Sequence, residues 1–539
     1  MKPKIIFLLN SVDLNRGGLT HASLRQASTF ADAGYDTDIL TFRYEPRFPE
    51  IVRKLKEKNK VSRNVRIRSL FDERAGYQDE KIKTDGIKVN ISDYEKEFRV
   101  SKRNSRNAYR LYREGKYEKY ISLRSDDTLD FIDYFNSEGN RTHREHYNYY
   151  GDMTRVKYYS LEENKMKKDV FLDKDGNSFL IMWWNPETEE RVDVISLAKN
   201  HMILSETDGD TNQHKTEWLK EVVEETKIPP VLISDTRSTD ELLIRLGNTE
   251  TKRVIRPHSN HLKNPDDPES ELNIRNRSAI KNIDKVDALV VLTEKQKMDI
   301  AKRFGHEEKI HVIPNYYEAR HGEKTIKTLI SATIREAKNV LRGRRLSLKR
   351  DMMKVVIISR FSSIKNIDHI IRAFKNVVEV LPKAQLEIWG GGNKKKDYLH
   401  LVDDLELKEN VSIKGYTQNP EKVYQSGALS AVTSKAEGFS LSVMESMVNE
   451  TPVISYDIRY GPSDMIDDGK NGYLIEKGDI VTLSERMISM LKNPEKTRQM
   501  GREARNKMDE KFDINSYREK WFTLVDELMK QDESRGARK

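Results

Sequence analysis

The chain of 539 residues contains no cysteine, so neither disulfides nor thiolate metal ligands contribute to it. A reducing cytoplasm fits that absence. The Asn-x-Ser/Thr triplets at Asn90, Asn140, Asn276, Asn410 and Asn449 are then expected to be chance matches. Long apolar runs are missing too. The opening "MKPKIIFLLNSVDLN" is apolar only from Ile5 to Leu9 and shows no small-residue cleavage site, so it does not read as a signal peptide. Nothing approaches the roughly 18 apolar residues that span a bilayer, and a soluble or peripheral protein is expected. Nucleophilic triads, zinc-ligand spacings and the GxGxxG dinucleotide fingerprint are also absent.

What is there is polar but patterned. Hydrophobic residues make up 36% and charged residues 34% of the chain, yet the apolar residues recur in periodic runs. The length suggests about three or four folding units. The net charge of +9 fits a solvated surface or attraction to a polyanion.

"KIIFLLN" reads as a buried parallel strand; Gly17-Gly18 then turn the chain into a helix that stops at Gly34, and "YDTDILTF" is the next strand. This β-turn-α-β order predicts a doubly wound α/β domain. From about 76 to 197 the alternation is lost, and "KVNISDY", "TRVKYYSL", "KDVFLDKDGNSFLIMWW" and "RVDVISL" read as short strands of an antiparallel insert. Asp175-Gly176 marks a hairpin. "DKDGN" is not a calcium loop, because Gly176 falls at position four rather than six and Trp184 stands where Glu is needed. "PPVLISD", "KRVIRPHSNH" and "VDALVVLT" return to buried strands, and the basic stretch 335–354 has helical spacing. A second α/β series follows from "KVVIIS" through "AQLEIWGGG", "NVSIKGY", "GALSAVTS", "TPVISYD" and "NGYLIE", and residues 510–532 form a last amphipathic helix.

Two stretches carry chemistry. In "SRFSSIKN", Arg360 ends a strand and Lys365 follows five residues later, two cations suited to a diphosphate beyond a strand's carboxyl end. In "SKAEGFSLSVMESM", a strand runs into Glu437, the turn Gly438-Phe439-Ser440, and a helix from Leu441 whose apolar positions are Leu441, Val443, Met444, Met447 and Val448. A helix start leaves free N–H groups that bind phosphate. Glu437 and Glu445 can bracket a ligand from either side, as acceptors for sugar hydroxyls. Gly17-Gly18 and the triplet 390–392 each follow a strand and carry little weight alone. His258 and His261 follow another strand, and "DGD" at 208–210 is a poor match to an Asp-x-Asp metal motif.

Arg360, Lys365, the Glu-x7-Glu pair and Gly17-Gly18, in this order, resemble the retaining glycosyltransferases of the two-domain GT-B fold, family four. "NRGGLTHASLRQASTF", "VDALVVLTEKQKMDI", "SRFSSIKNID", "KGYTQNPEKVY" and "YDIRYGPSDMIDDGKNGYLIE" look like the bacterial enzymes that decorate wall teichoic acids: poly(glycerol-phosphate) α-glucosyltransferases and poly(ribitol-phosphate) α-N-acetylglucosaminyltransferases. The resemblance implies an α/β GT-B architecture: residues 1–75 and 198–345 as the N-terminal Rossmann-like domain, 76–197 as a β-rich insert for oligomerisation or acceptor binding, 346–510 as the nucleotide-sugar domain, and 511–539 as a helix packing back on the N-terminal domain. It implies transfer of glucose or N-acetylglucosamine from a UDP-sugar to a polyol-phosphate, with serine or threonine of an adhesin as the alternative acceptor and a non-catalytic acceptor-binding subunit as the alternative role.

By the same resemblance, Gly17 and Gly18 would face the donor diphosphate and admit the acceptor. Arg360 and Lys365 would neutralise the diphosphate, and Glu437 would meet the transferred sugar. Gly438, Phe439, Ser440 and Leu441 would hold the distal phosphate, and Glu445 the ribose. His258 would line the sugar pocket, with His261 as its alternative and Tyr416 as a further donor-side residue. The turn reads Gly-Phe-Ser where relatives often have Gly-Phe-Gly or Gly-Gln-Gly. No cofactor, metal or nucleic acid is expected. The partners implied are a UDP-sugar, an anionic polymer and further copies of the chain, a trimer by analogy. The location implied is the cytoplasm, and peripheral association with the inner membrane face stays open.

Overall fold

A computed structural model describes residues 2–14, 18–77, 86–198, 200, 202–247, 250–316 and 350–536. Gly17 and most of the basic stretch 335–354 lie outside them. The chain forms two compact units, Met1–Arg256 with Lys285–Asp287, and Pro257–Asp284 with Ala288–Lys539. This division differs from the sequence boundaries, because the chain from Pro257 to Asp284 and from Ala288 onward groups with the second α/β series.

In the first unit five parallel strands lie in the order Arg66–Ser69, Thr37–Thr41, Ile5–Leu9, Val231–Ser234 and Lys252–Ile255. Ile5–Leu9 is buried along its whole length, as expected of a central strand of a doubly wound sheet. The helix Gly18–Asp32 follows it, and Gly34 ends the turn after the helix at φ +82, a conformation open to glycine.

Between Arg66–Ser69 and Val231–Ser234 the chain builds a ten-stranded antiparallel sheet of sequence neighbours, from Arg99–Lys102 to Ile203–Thr207. The last strand thus lies beyond the expected boundary at 197. "KVNISDY" is not a strand: Lys88 makes one bridge to Thr128, and Asn90 caps the 3-10 turn Ile91–Lys96. The expected hairpin joins Met166–Leu172 to Ser178–Trp184, with Gly176 at φ +85 and Asp173 Oδ1 accepting from the Asp175 and Asn177 N–H groups. "DGD" is structural: Asp210 pairs with Arg245 and accepts from the Asn212 N–H.

The second unit contains six parallel strands in the order Val411–Ile413, Gln385–Gly391, Asp351–Arg360, Gly427–Val432, Val453–Tyr456 and Gly472–Ile475. Numbered along the chain this is 3-2-1-4-5-6, the doubly wound order. Residues 351–354 begin a strand rather than continuing a basic helix. The strands Ala288–Val291 and Ile310–Val312 also belong to this unit. The final helix Ile514–Gly536 buries Tyr517, Trp521, Leu524, Val525 and Leu528, and Tyr517 packs on Tyr316 with ring centroids 4.5 Å apart. Asn276, Asn410 and Asn449 are buried and donate hydrogen bonds, so these three triplets are no glycan sites in this fold.

Candidate active site

The strand order reverses between Asp351–Arg360 and Gly427–Val432, and ligands of open α/β sheets bind beyond the carboxyl ends of strands at such a point. Arg360 and Lys365 follow the first strand, and Ser434 and Glu437 follow the second. Two loops are joined there. The Lys435 N–H donates to the Ile364 carbonyl at 2.8 Å, and the Thr433 hydroxyl donates to the carbonyls of Lys365 at 3.1 Å and Asn366 at 2.8 Å. Lys365 Nζ then donates to Glu437 Oε1 at 2.6 Å, and Ser434 Oγ donates to the same oxygen at 2.6 Å. The pair is largely shielded, with side-chain exposures of 16% and 13%. Among the described residues no hydrogen bond or ion pair holds the exposed Arg360 guanidinium.

The glycine triplet backs this strand end rather than forming a phosphate loop. A Cβ on Gly390 would stand 1.9 Å from the Ser359 carbonyl oxygen, and one on Gly392 2.3 Å from that of Phe361. Tyr416 is 80% exposed, and its ring lies where a Gly391 side chain would go, beside the register partner of Arg360.

The turn after Glu437 is closely packed. Gly438, Phe439 and Ser440 are buried, and Ser440 has φ 66 and ψ 77, the left-handed region where glycine is favoured. The helix Leu441–Val448 then begins. Val443, Met444, Met447 and Val448 enter a core cluster with Phe439, whereas Leu441, expected on the same face, is exposed. Among the described residues the N–H groups of Phe439, Ser440 and Leu441 have no hydrogen-bond acceptor. Together with the helix dipole they give this corner a partial positive charge. Glu445 lies in the second turn, its carbonyl accepting from Asn449 Nδ2 at 2.8 Å.

His258 is half-buried, and its backbone abuts the turn: a Cβ on Gly438 would be 2.4 Å from the His258 carbonyl oxygen. His261 is buried and stacked on Tyr460 with centroids 5.8 Å apart, and burial pushes its pKa down to about 4. Of the two histidines expected near the sugar, His261 is the buried one and His258 is half-buried. Gly18 opens its helix in the first unit.

A glycosyl transferases group 1 model matches residues 344–507, and a glycosyl transferase 1 domain A model matches residues 6–203. The poly(ribitol-phosphate) alpha-N-acetylglucosaminyltransferase of Staphylococcus aureus is 27% identical over 535 residues, covering 97% of this chain and 99% of its own. The poly(glycerol-phosphate) alpha-glucosyltransferase of Bacillus subtilis is 26% identical over 535 residues, covering 97% and 75%. The crystal structure of TarM superposes with a TM-score of 0.81 at 26% identity, covering 97% of this chain and 98% of TarM. The chain is a glycosyltransferase of the GT-B fold.

Sequence reasoning missed several groups around this transferase's site. Thr433 and Ser434 carry no signal beyond being polar residues after a strand. Arg350 donates to Thr451 Oγ1 at 2.6 Å, to the carbonyls of Gly427 at 3.0 Å and Tyr424 at 3.3 Å, and to that of Asn449. It thereby places a cation at the carboxyl end of the Glu445 helix, where the dipole favours one. Asp299 lies on a helix that looks only amphipathic in sequence, yet it takes Arg459 Nε at 2.7 Å, Arg459 Nη2 at 2.6 Å and the Tyr460 hydroxyl at 2.5 Å.

Proposed function

We propose that this transferase moves glucose or N-acetylglucosamine from a UDP-sugar to hydroxyls of a polyol-phosphate polymer of the wall teichoic acid kind, with retention of the α configuration. The observation that carries this reading is the convergence, at one switch point, of Arg360, the Lys365–Glu437 pair and the N–H groups at 439–441, which have no acceptor among the described residues. As the bond between the anomeric carbon and the diphosphate oxygen breaks, negative charge grows on the diphosphate. The Lys365 cation held by Glu437, the Arg360 guanidinium and a helix start stabilise that charge. Glu437 Oε1 is held by Lys365 and Ser434, which suits orientation of a sugar hydroxyl better than nucleophilic attack. The acceptor oxygen then arrives on the leaving-group side, and its proton passes to the departing phosphate. The positive charge of the chain suits an anionic acceptor. No metal is called for in this scheme.

Two relatives over almost the whole chain are named for polyol-phosphate acceptors, and a TarM structure holds UDP and alpha-GlcNAc-glycerol. Peptide-modifying relatives such as the GtfA subunit of Streptococcus gordonii match over 36% of the chain, which makes a protein acceptor the weaker reading. We further propose that the enzyme works in the cytoplasm as a homo-oligomer, a trimer by analogy. The edge strand Ile203–Thr207 leaves Ile203 and Leu204 exposed and unpaired on one side, which favours self-association. Calorimetry with UDP tests the site: binding by the wild type that is lost in Arg360→Ala supports the assignment. Unchanged binding in Arg360→Ala contradicts it.

A further inference from the structure

The turn that follows Glu437 is held between two other backbone segments. A Cβ on Gly438 would be 2.4 Å from the His258 carbonyl oxygen, and one on Gly461, at φ +100, would be 2.6 Å from that of Phe439. Neither contact tolerates a side chain, so the spacing of the three layers is set by whatever fixes the outer two.

One carboxylate is connected to both outer layers. Asp299, on the helix Glu294–Phe304, takes two bonds from Arg459 and one from the Tyr460 hydroxyl, and these residues directly precede Gly461. The Tyr460 ring in turn stacks on His261, in the segment that includes His258. The Asp299 and Arg459 side chains are mostly shielded, at 12% and 19% exposure. Against its burial, the Arg459 and Tyr460 bonds hold the Asp299 carboxyl below the usual range. An ion pair in such surroundings is weak ground for net stability but fixes geometry well.

We propose that Asp299 is a positioning residue for transfer: through Arg459, Tyr460 and His261 it sets the spacing of the layers around Gly438–Phe439, and so the placement of Glu437 and the corner at residues 439–441. Among the described residues Asp299 itself makes no hydrogen bond or ion pair with Glu437 or residues 438–441. This deepens the proposed function and rests on its reading of the turn.

The test compares wild type, Asp299→Asn and Tyr460→Phe. Hydrogen–deuterium exchange is followed at Lys435, Val443 and Met444, whose N–H groups are bonded at the turn's two ends, kcat and KM are measured for the UDP-sugar with a polyol-phosphate acceptor, and thermal melts give the folded fraction. Asp299→Asn is expected to raise exchange at Lys435, Val443 and Met444 and to lower kcat about tenfold or more, with KM for the donor within about threefold. Tyr460→Phe, which keeps the stack and the Arg459 pair, shows the same changes on a smaller scale and carries the test should Asp299→Asn not fold. Unchanged exchange at the turn, or a kcat loss no larger than the loss of folded protein, overturns the proposal. If the wild type turns over no UDP-sugar, the functional reading fails, while exchange at the turn still decides the positioning role.

Discussion

Replacing Gly438 by alanine puts a methyl carbon 2.4 Å from the His258 carbonyl oxygen, 2.8 Å from its carbon and 2.9 Å from Ser259 Cα. Ordinary contact begins near 3.4 Å, so the two segments must part by about 1 Å. All three neighbours are backbone atoms, and neither segment can swing aside like a side-chain end. Overpacking of this kind costs about 1–3 kcal/mol of stability. The catalytic effect is larger, because displacing reacting groups by about 1 Å costs on the order of 10²-fold in turnover. Gly415→Ala is the control, since a Cβ there meets nothing within 4 Å. It should keep wild-type turnover and gain at most the few tenths to about 1 kcal/mol that alanine brings by restricting the unfolded chain. The assay is polymer-dependent UDP release, with thermal unfolding of the same samples. Turnover by Gly438→Ala within about twofold of wild type would refute the packing argument and, with it, the placement of His258 beside the turn.

Glu437→Gln keeps an acceptor for Ser434 but removes the charge facing Lys365, and Lys365→Met removes the cation. Each should lower kcat/KM by about 10²-fold or more, and the double variant should lose less than the product, which steady-state kinetics will show. Ser440→Gly relieves a left-handed serine worth about 1–2 kcal/mol but adds roughly 0.5–1 kcal/mol of chain entropy, so denaturant titration should find it equal to or up to about 1.5 kcal/mol more stable than wild type. Burial pushes His146 and His214 down to about 3 and His261 to about 4, below the unfolded value of 6.5. The unfolded chain therefore binds more protons below pH 6.5, and stability present above that pH is lost on acidification toward 4, by at most about 1.4 kcal/mol per histidine per pH unit. Asp72, pushed up to about 7 by burial, opposes this with the slope of one group, so melting temperature should still fall between pH 6.5 and 4. Turnover should be unaffected by a chelator such as EDTA, and loss of activity restored by a divalent cation would contradict the proposed scheme.

The parallel strands were legible because burial on both faces writes itself as unbroken apolar runs, as in "KIIFLL" and "KVVIIS". The insert was legible only in part. Its strands from Arg99–Lys102 to Arg141–Tyr147 look polar because charged side chains cover aromatic ones: Arg144 lies 3.7 Å over the Phe131 ring and Arg141 3.7 Å over that of Tyr159. Alternation of apolar and polar residues is thereby erased. At the site, Arg360, Lys365 and Glu437 were visible, because charges just past the carboxyl ends of buried strands stand out against the apolar runs before them. The supports were not. Asp299 meets Arg459 and Tyr460 across 160 and 161 residues, and Arg350 reaches a helix end 99 residues away. No local pattern records such pairings. Gly390, Gly392, Gly438 and Gly461 were visible as letters, but their purpose, close backbone approach, appears only once the opposing strands and turns are in place.

The most direct test of the central claim is a matrix of UDP-glucose and UDP-N-acetylglucosamine against glycerol- and ribitol-phosphate polymers, with UDP release measured and the anomeric configuration of the product read by NMR. The account predicts polymer-dependent release for at least one pairing, an α-linked product, and loss of both in Arg360→Ala. Absence of release for every pairing, or a β-linked product, would contradict it.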